Sequence, residues 1–288
     1  MGDWRIAARR LRMGLMTLTG LGRQGYFIPY RYAGGLPAAG EAGPYAALER
    51  LFRAAEPAFT EILDEIDGHE AVLGGFGSAP PPEPRWRQDW FPGLDGAAAY
   101  ALMRRLRPRR AVEIGSGHST RFLARAIADG GFDCAFTAID PAPRAAIGTL
   151  PIEVRRETIH AADRTPLAAL QSGDLLFIDS SHILMPGSDV DLLLNEVLPT
   201  LPAGLILHVH DIFLPDDYPP AWAWRGYNEQ QGVAPLLAGG GFDLVFASHY
   251  VRSRMGGALA ARPAGRIPLL EGALESSLWL RKRAPAIA

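Results

Sequence analysis

From about residue 85 onward, apolar runs of four or five residues alternate with stretches whose apolar positions recur every three or four places. Short apolar runs bounded by turn residues read as buried strands, and the 3.6-residue period reads as amphipathic helix. Strands are therefore expected at 111–114, 135–139, 152–155, 174–178, 205–209, 244–247 and 277–280. Helices are expected between them, for example at 119–129, 189–198 and 229–238. This alternation predicts an α/β fold with a seven-stranded, mostly parallel sheet covered by helices on both faces.

The first 84 residues follow another pattern. A helix is expected over 45–66, with Pro44 where a first helical turn tolerates it, and the proline-rich stretch 78–84 reads as a stiff connector. The chain thus divides into an N-terminal helical appendage, 1–84, and a second domain, 85–288. Near the start, Trp4, Ala8, Leu11, Leu15 and Leu18 recur at helical spacing opposite Arg5, Arg9, Arg10 and Arg12. Such a helix either docks on its own domain, self-associates with a second subunit, or lies peripherally on an anionic membrane. The Gly/Ala/Arg-rich stretch 256–265 is expected to be a mobile excursion between the last two strands.

Composition narrows the function. With 29 Lys+Arg against 31 Asp+Glu, the 288-residue chain exerts no general pull on phosphate backbones, so a nucleic-acid substrate is not expected. Lys282 is the sole lysine, which leaves catalytic base work to other residue types. The single cysteine, Cys134, excludes an intramolecular disulfide and a multi-cysteine metal site. No apolar run has the length of a membrane span and no signal-peptide pattern stands out, so a cytoplasmic enzyme is expected.

The densest chemical signal is at 111–120, where an apolar strand ends in Glu113-Ile114 and breaks into Gly115-Ser116-Gly117 before a helix. Glycines let a ligand approach bare backbone, and the helix N-terminus aims unpaired amides at the same point. The turn makes the fold Rossmann-like, but a dinucleotide fingerprint wants a third glycine where Thr120 stands. Asp140, ending the next strand, can accept both hydroxyls of a ribose. Glu113, Gly115, Ser116, Gly117 and Asp140 are therefore candidate cofactor residues. Asp163 is another, reaching an adenine amine, unless it only caps a helix. Beyond the fourth and fifth strands, Asp179 and Asp211 fall side by side, and two facing carboxylates call for a proton or a cation between them. His182, three residues past Asp179, is placed to take a proton from a hydroxyl.

The acid-x-Gly-x-Gly turn resembles motif I of class I S-adenosylmethionine-dependent methyltransferases. The run GSGHST, FIDSSH and HVHDIFLPDDYP, followed by Tyr227-Asn228-Glu229-Gln230, is similar to the bacterial methyltransferase 24 group, over roughly 25–280. The resemblance implies S-adenosylmethionine as cofactor and O-methylation of a small-molecule or glycan acceptor. It also implies Asp179 as a metal-holding residue and His182 as general base. His210 and Asp211 stand where related enzymes place two acidic or amide ligands, and imidazole favours manganese, iron or zinc over magnesium. The candidate metal set is then Asp179, His210 and Asp211, with the alternatives that Asp211 binds without His210 or that no metal is used. Competing functions are an NAD(P)-dependent oxidoreductase and a non-catalytic cofactor-binding scaffold.

Overall fold

The computed structural model describes residues 3–38 and 40–286. They form two compact units that divide between Glu41 and Ala42 rather than at the proline connector. The N-terminal unit holds helix α1 (Asp3–Leu18) and a 3-10 turn at Ala33–Gly35.

In the second unit, α2 (Ala46–Ala54), α3 (Glu56–Gly68) and α4 (Glu70–Gly74) precede α5 (Gly93–Leu106). The single helix expected over 45–66 is broken at Ala55, because Pro57 cannot donate to the preceding turn and starts α3 instead. α3 packs on α5, burying Phe59, Ile62, Leu63 and Ile66, so these helices share the core of the sheet.

All seven expected strands exist. They are β1 (Arg110–Ile114), β2 (Ala135–Ile139), β3 (Glu153–Arg155), β4 (Leu175–Ile178), β5 (Ile206–Val209), β6 (Phe242–Ala247) and β7 (Leu278–Lys282). Their order is β3-β2-β1-β4-β5-β7-β6, with β7 antiparallel to both neighbours and the other pairings parallel. Helix α6 (His118–Gly130) follows β1, and the short α7 (Thr165–Ala168) precedes β4. Between β4 and β5, α8 (Asp189–Asp191) runs through a π-helical turn, Leu192–Val197, into α9 (Leu198–Thr200). Helix α10 (Gln230–Ala238) precedes β6.

The stretch expected to be mobile is instead structured. After α11 (Ser248–Arg254), α12 (Gly256–Ala260) and a 3-10 turn, Pro263–Arg266, are pinned to α3. Arg262 Nη1 donates to Asp64 and to Asp67 Oδ2 at 2.9 Å, and Ala264 N donates to Asp67 Oδ1 at 2.8 Å.

Register turns this sheet into a platform. Ile114 pairs with Ile139 and Ile178, and Ile178 with Val209, so the residue after each strand emerges at the same edge. The ladder continues one step further through Gly115 N to Ile139 O, Asp179 N to Ile114 O and His210 N to Ile178 O, at 2.8–3.0 Å. Open α/β sheets bind ligands at this edge.

Candidate active site

Gly115, Ser116, Asp140 and Asp179 line a cavity of about 430 Å³ at the carboxyl ends of β1, β2 and β4. Gly115 adopts φ +81°, and a Cβ there would lie 1.8 Å from the Asp179 carbonyl oxygen. The glycine is therefore imposed by the neighbouring strand end as well as by the turn. Asp140 organises the turn directly: Oδ2 accepts from Ser116 N at 2.7 Å and Ser116 Oγ at 3.0 Å, while Oδ1 accepts from Ala142 N.

Three of the candidate cofactor residues do not line the cavity. Glu113 is fully buried behind the turn, where it accepts from Ser119 Oγ at 2.5 Å and Thr120 Oγ1 at 2.7 Å. Burial pushes its carboxyl up to about 8, against the pull of those two hydroxyls. Gly117 donates its N–H to Thr120 Oγ1, so the threonine in the third-glycine position ties the turn to Glu113. Asp163 is exposed and accepts from Thr165 N and Oγ1 in an Asx turn, one residue ahead of Arg164, the N-cap of α7. Thr158, Ile159, His160 and Arg144 belong to the cavity lining, and Asp163 does not.

Asp179 leads from the cavity into a buried cluster. His182 Nε2 lies 3.3 Å from both Asp179 Oδ1 and Asp211 Oδ2, and its Nδ1 is 2.9 Å from Glu229 Oε2. His210 Nδ1 lies 3.5 Å from Asp179 Oδ1 and 3.4 Å from Asp211 Oδ1, and its Nε2 is 3.2 Å from Asp95 Oδ2. His182 is 1% exposed and does not line the cavity, whereas its neighbour Asp179 does.

Electrostatics follow from this interleaving. Burial would lower both imidazoles, but Asp211 with Asp179 and Glu229 holds His182 well above its usual value, and Asp211, Asp179 and Asp95 do the same for His210. Burial alone would raise Asp179, yet His210 and His182 hold it well below the carboxylate range. Glu229 is raised, chiefly by burial. Four carboxylates face two imidazoles, so the group stays anionic even with both rings protonated and Glu229 neutral. His182 and Asp211 also hold left-handed backbone, φ +61° and +56°, at roughly 1–2 kcal/mol each. Such strain concentrates where side chains must be aimed.

Asp95 carries no site motif of its own, and Glu229 lies in a motif whose role the sequence left unassigned. Asp95 comes from the first turn of α5 and accepts from Ser276 N, Ser277 N and Ser248 Oγ as well. Ser276 Oγ in turn donates to Asp211 Oδ1 at 3.1 Å. The antiparallel β7 makes this possible, because its start lies at the edge where the parallel strands end. Glu229 belongs to Tyr227-Asn228-Glu229-Gln230, each residue of which braces the site. Tyr227 packs on the His182 ring at 4.6 Å, Asn228 bonds both backbone groups of Leu184, and Gln230 Oε1 accepts from Phe213 N. His208, the other histidine of β5, is a core residue stacked on Phe177 at 3.7 Å and bonded to Ser277 Oγ.

Among the described residues, Asp179, His210 and Asp211 are the group of three whose potential ligand atoms lie within 4.8 Å of one another. Residues 112–212, from β1 through this cluster, match the family model of a methyltransferase domain, the methyltransferase 24 type. No curated protein matches the chain. Among solved structures, the SAH-bound Podospora anserina methyltransferase PaMTH1 is similar at 17% identity and TM-score 0.40, covering 90% of this chain and 100% of that one. The cmcI-N160 SAH structure is similar at 16% identity and TM-score 0.38, covering 66% of this chain and 77% of that one. The matched span ends at Ile212, so two of the braces just described, Asp95 and Glu229, come from outside the methyltransferase family match.

Proposed function

We propose that this chain transfers the methyl group of S-adenosylmethionine to a hydroxyl oxygen of a small-molecule or glycan acceptor. The observation that carries the reading is the double role of Asp179, which lines the cavity beside the glycine turn and is also a member of the buried His/Asp cluster. A sulfonium methyl is already activated, so catalysis requires alignment of oxygen, carbon and sulfur and the removal of one proton.

In this reading Ser116 and Asp140 hold the ribose, and Ile139, Thr158 and Ile159 form the apolar side of the cofactor cavity. Asp140 Oδ1, which accepts from Ala142 N, keeps one lone pair for a ribose hydroxyl, since Oδ2 is occupied by Ser116. Asp179, the partly exposed member of the cluster, meets the acceptor hydroxyl, and the neutral form of His182 behind it, reached only as pH climbs through its raised value, receives the proton. Glu229 at Nδ1 fixes the ring so that Nε2 faces that path. Trp222 and Trp224, on the segment after Asp211, offer flat apolar faces to a sugar or ring, with Arg225 stacked over Trp222 at 4.0 Å.

The residues present also fit a divalent cation. Two carboxylates and one imidazole supply the ligands, the site is anionic, and the second nitrogen of His210 is held by Asp95 as in carboxylate–histidine–metal arrangements. Bound there, the cation would act as a Lewis acid that eases loss of the hydroxyl proton. The nitrogen ligand suits manganese, iron or zinc better than magnesium.

Titration calorimetry with S-adenosylhomocysteine and, separately, with NAD tests the cofactor. Saturable binding of the first, lost at least tenfold in Asp140→Ala, is expected. Binding of NAD alone, or unchanged affinity in a folded Asp140→Ala protein, would overturn it.

A further inference from the structure

Helix α1 turns two apolar sides outward, and its own unit covers one. Ile6, Met13 and Met16 are half-buried, where the chain folds back through Gly22 N to Met16 O at 3.2 Å and Gln24 N to Thr17 Oγ1 at 3.1 Å. Trp4, Leu11, Leu15 and Leu18 form a second stripe and are 70%, 65%, 53% and 60% exposed. Downstream, Tyr26, Phe27, Ile28, Tyr30 and Tyr32 are exposed as well. Arginines accompany these rings: Arg5 lies over Trp4, Arg23 over Tyr26 and Arg31 over Tyr32, each within 5.6 Å of the centroid.

Residues 3–32 carry six arginines, Arg5, Arg9, Arg10, Arg12, Arg23 and Arg31, and one acid, Asp3. No described helix is long and apolar enough to cross a membrane. An amphipathic helix of low mean hydropathy, with arginines beside a Trp/Leu stripe and followed by aromatics, has the makeup of a segment that lies in the plane of a lipid interface.

We propose that the N-terminal unit docks on an anionic phospholipid surface, with Trp4, Leu11, Leu15 and Leu18 at the acyl boundary and the arginines at the phosphates. A second copy is a poorer occupant, because the same stripe on another chain brings the same positive charge. RNA would use the arginines and leave the stripe in water. The proposal is independent of the reaction at the strand ends.

The test is flotation of the full-length protein with vesicles of phosphatidylcholine alone and of an equimolar mixture with phosphatidylglycerol. Binding is expected on the mixed vesicles, weakened by salt, and about fivefold weaker for each Arg→Gln among Arg5, Arg9, Arg10 and Arg12. A Leu11→Ser/Leu15→Ser variant, with its fold checked by circular dichroism and S-adenosylhomocysteine affinity, should lose flotation altogether. Equal recovery with neutral vesicles, or no flotation at all, overturns the proposal. So does dimerisation abolished by the leucine variant without vesicle binding, or capture of a single-stranded RNA in preference to vesicles.

Discussion

Glycine 115 shows how one residue can answer to two demands. Its positive φ belongs to the turn, but the tighter constraint is the Asp179 carbonyl, which leaves no room for a Cβ. Gly115→Ala should therefore cost about 3 kcal/mol or more of stability, making it a poor probe of cofactor affinity. Glu113 is the complementary case, a residue in the motif whose side chain faces away from the cavity. Its carboxyl is raised to about 8 from an unfolded value near 4.5, so the wild type loses this contribution as pH rises from about 4.5 through 8. Glu113→Gln has no such dependence. Denaturant titrations across that window should show the variant gaining on the wild type with rising pH, while affinity for S-adenosylhomocysteine stays within a few fold. A large loss of affinity would return Glu113 to the cofactor site.

At the level of elements, the sheet was legible because each strand is a short apolar run closed by a turn residue, and parallel register lines up whatever follows. That is why Gly115, Asp140, Asp179 and His210 could be placed on one edge from sequence. What stayed hidden is the bracing supplied by elements far along the chain. Asp95 is separated from His210 by 115 positions and looks like any acid in a first helical turn. The serines before β7 are hidden by its antiparallel direction, since parallel strands put site residues after their ends and these serines precede one. Asp95 joins α5, β5 and β7, so Asp95→Asn puts an amide N–H₂ among donors. We expect roughly 1–3 kcal/mol of destabilisation and a tenfold to hundredfold fall in affinity for manganese. Metal affinity equal to wild type in the folded variant would show that His210 is aimed without Asp95.

On the scale of the whole molecule, the cluster couples stability to pH and, in the proposed reading, to a divalent cation. His182 and His210 are raised above 6.5 by Asp211 and its neighbours, so their stabilising contribution is complete below about pH 6.5 and is lost as pH climbs through the raised values. His118 runs the other way: burial first, then Arg121, lowers it to about 4, and its contribution disappears as pH falls from about 6.5 toward 4. Between about pH 4.5 and 6.5 the His118 gain and the Glu113 loss oppose one another, so the chelated protein should unfold more easily chiefly as pH rises above about 6.5, where Glu113 and the two cluster histidines lose together. A divalent cation held by Asp179, His210 and Asp211 replaces the protons that neutralise the cluster, and its ligand His210 must then be deprotonated. Manganese should therefore remove the cluster's share of the alkaline loss while leaving the share that belongs to Glu113, and leaving the His118 contribution on the acid side unchanged. Unfolding midpoints measured from pH 5 to about 9, with chelator and with manganese, separate the outcomes. Two curves that coincide at alkaline pH would mean that protons alone balance the four carboxylates, and that the cluster serves proton transfer without a metal.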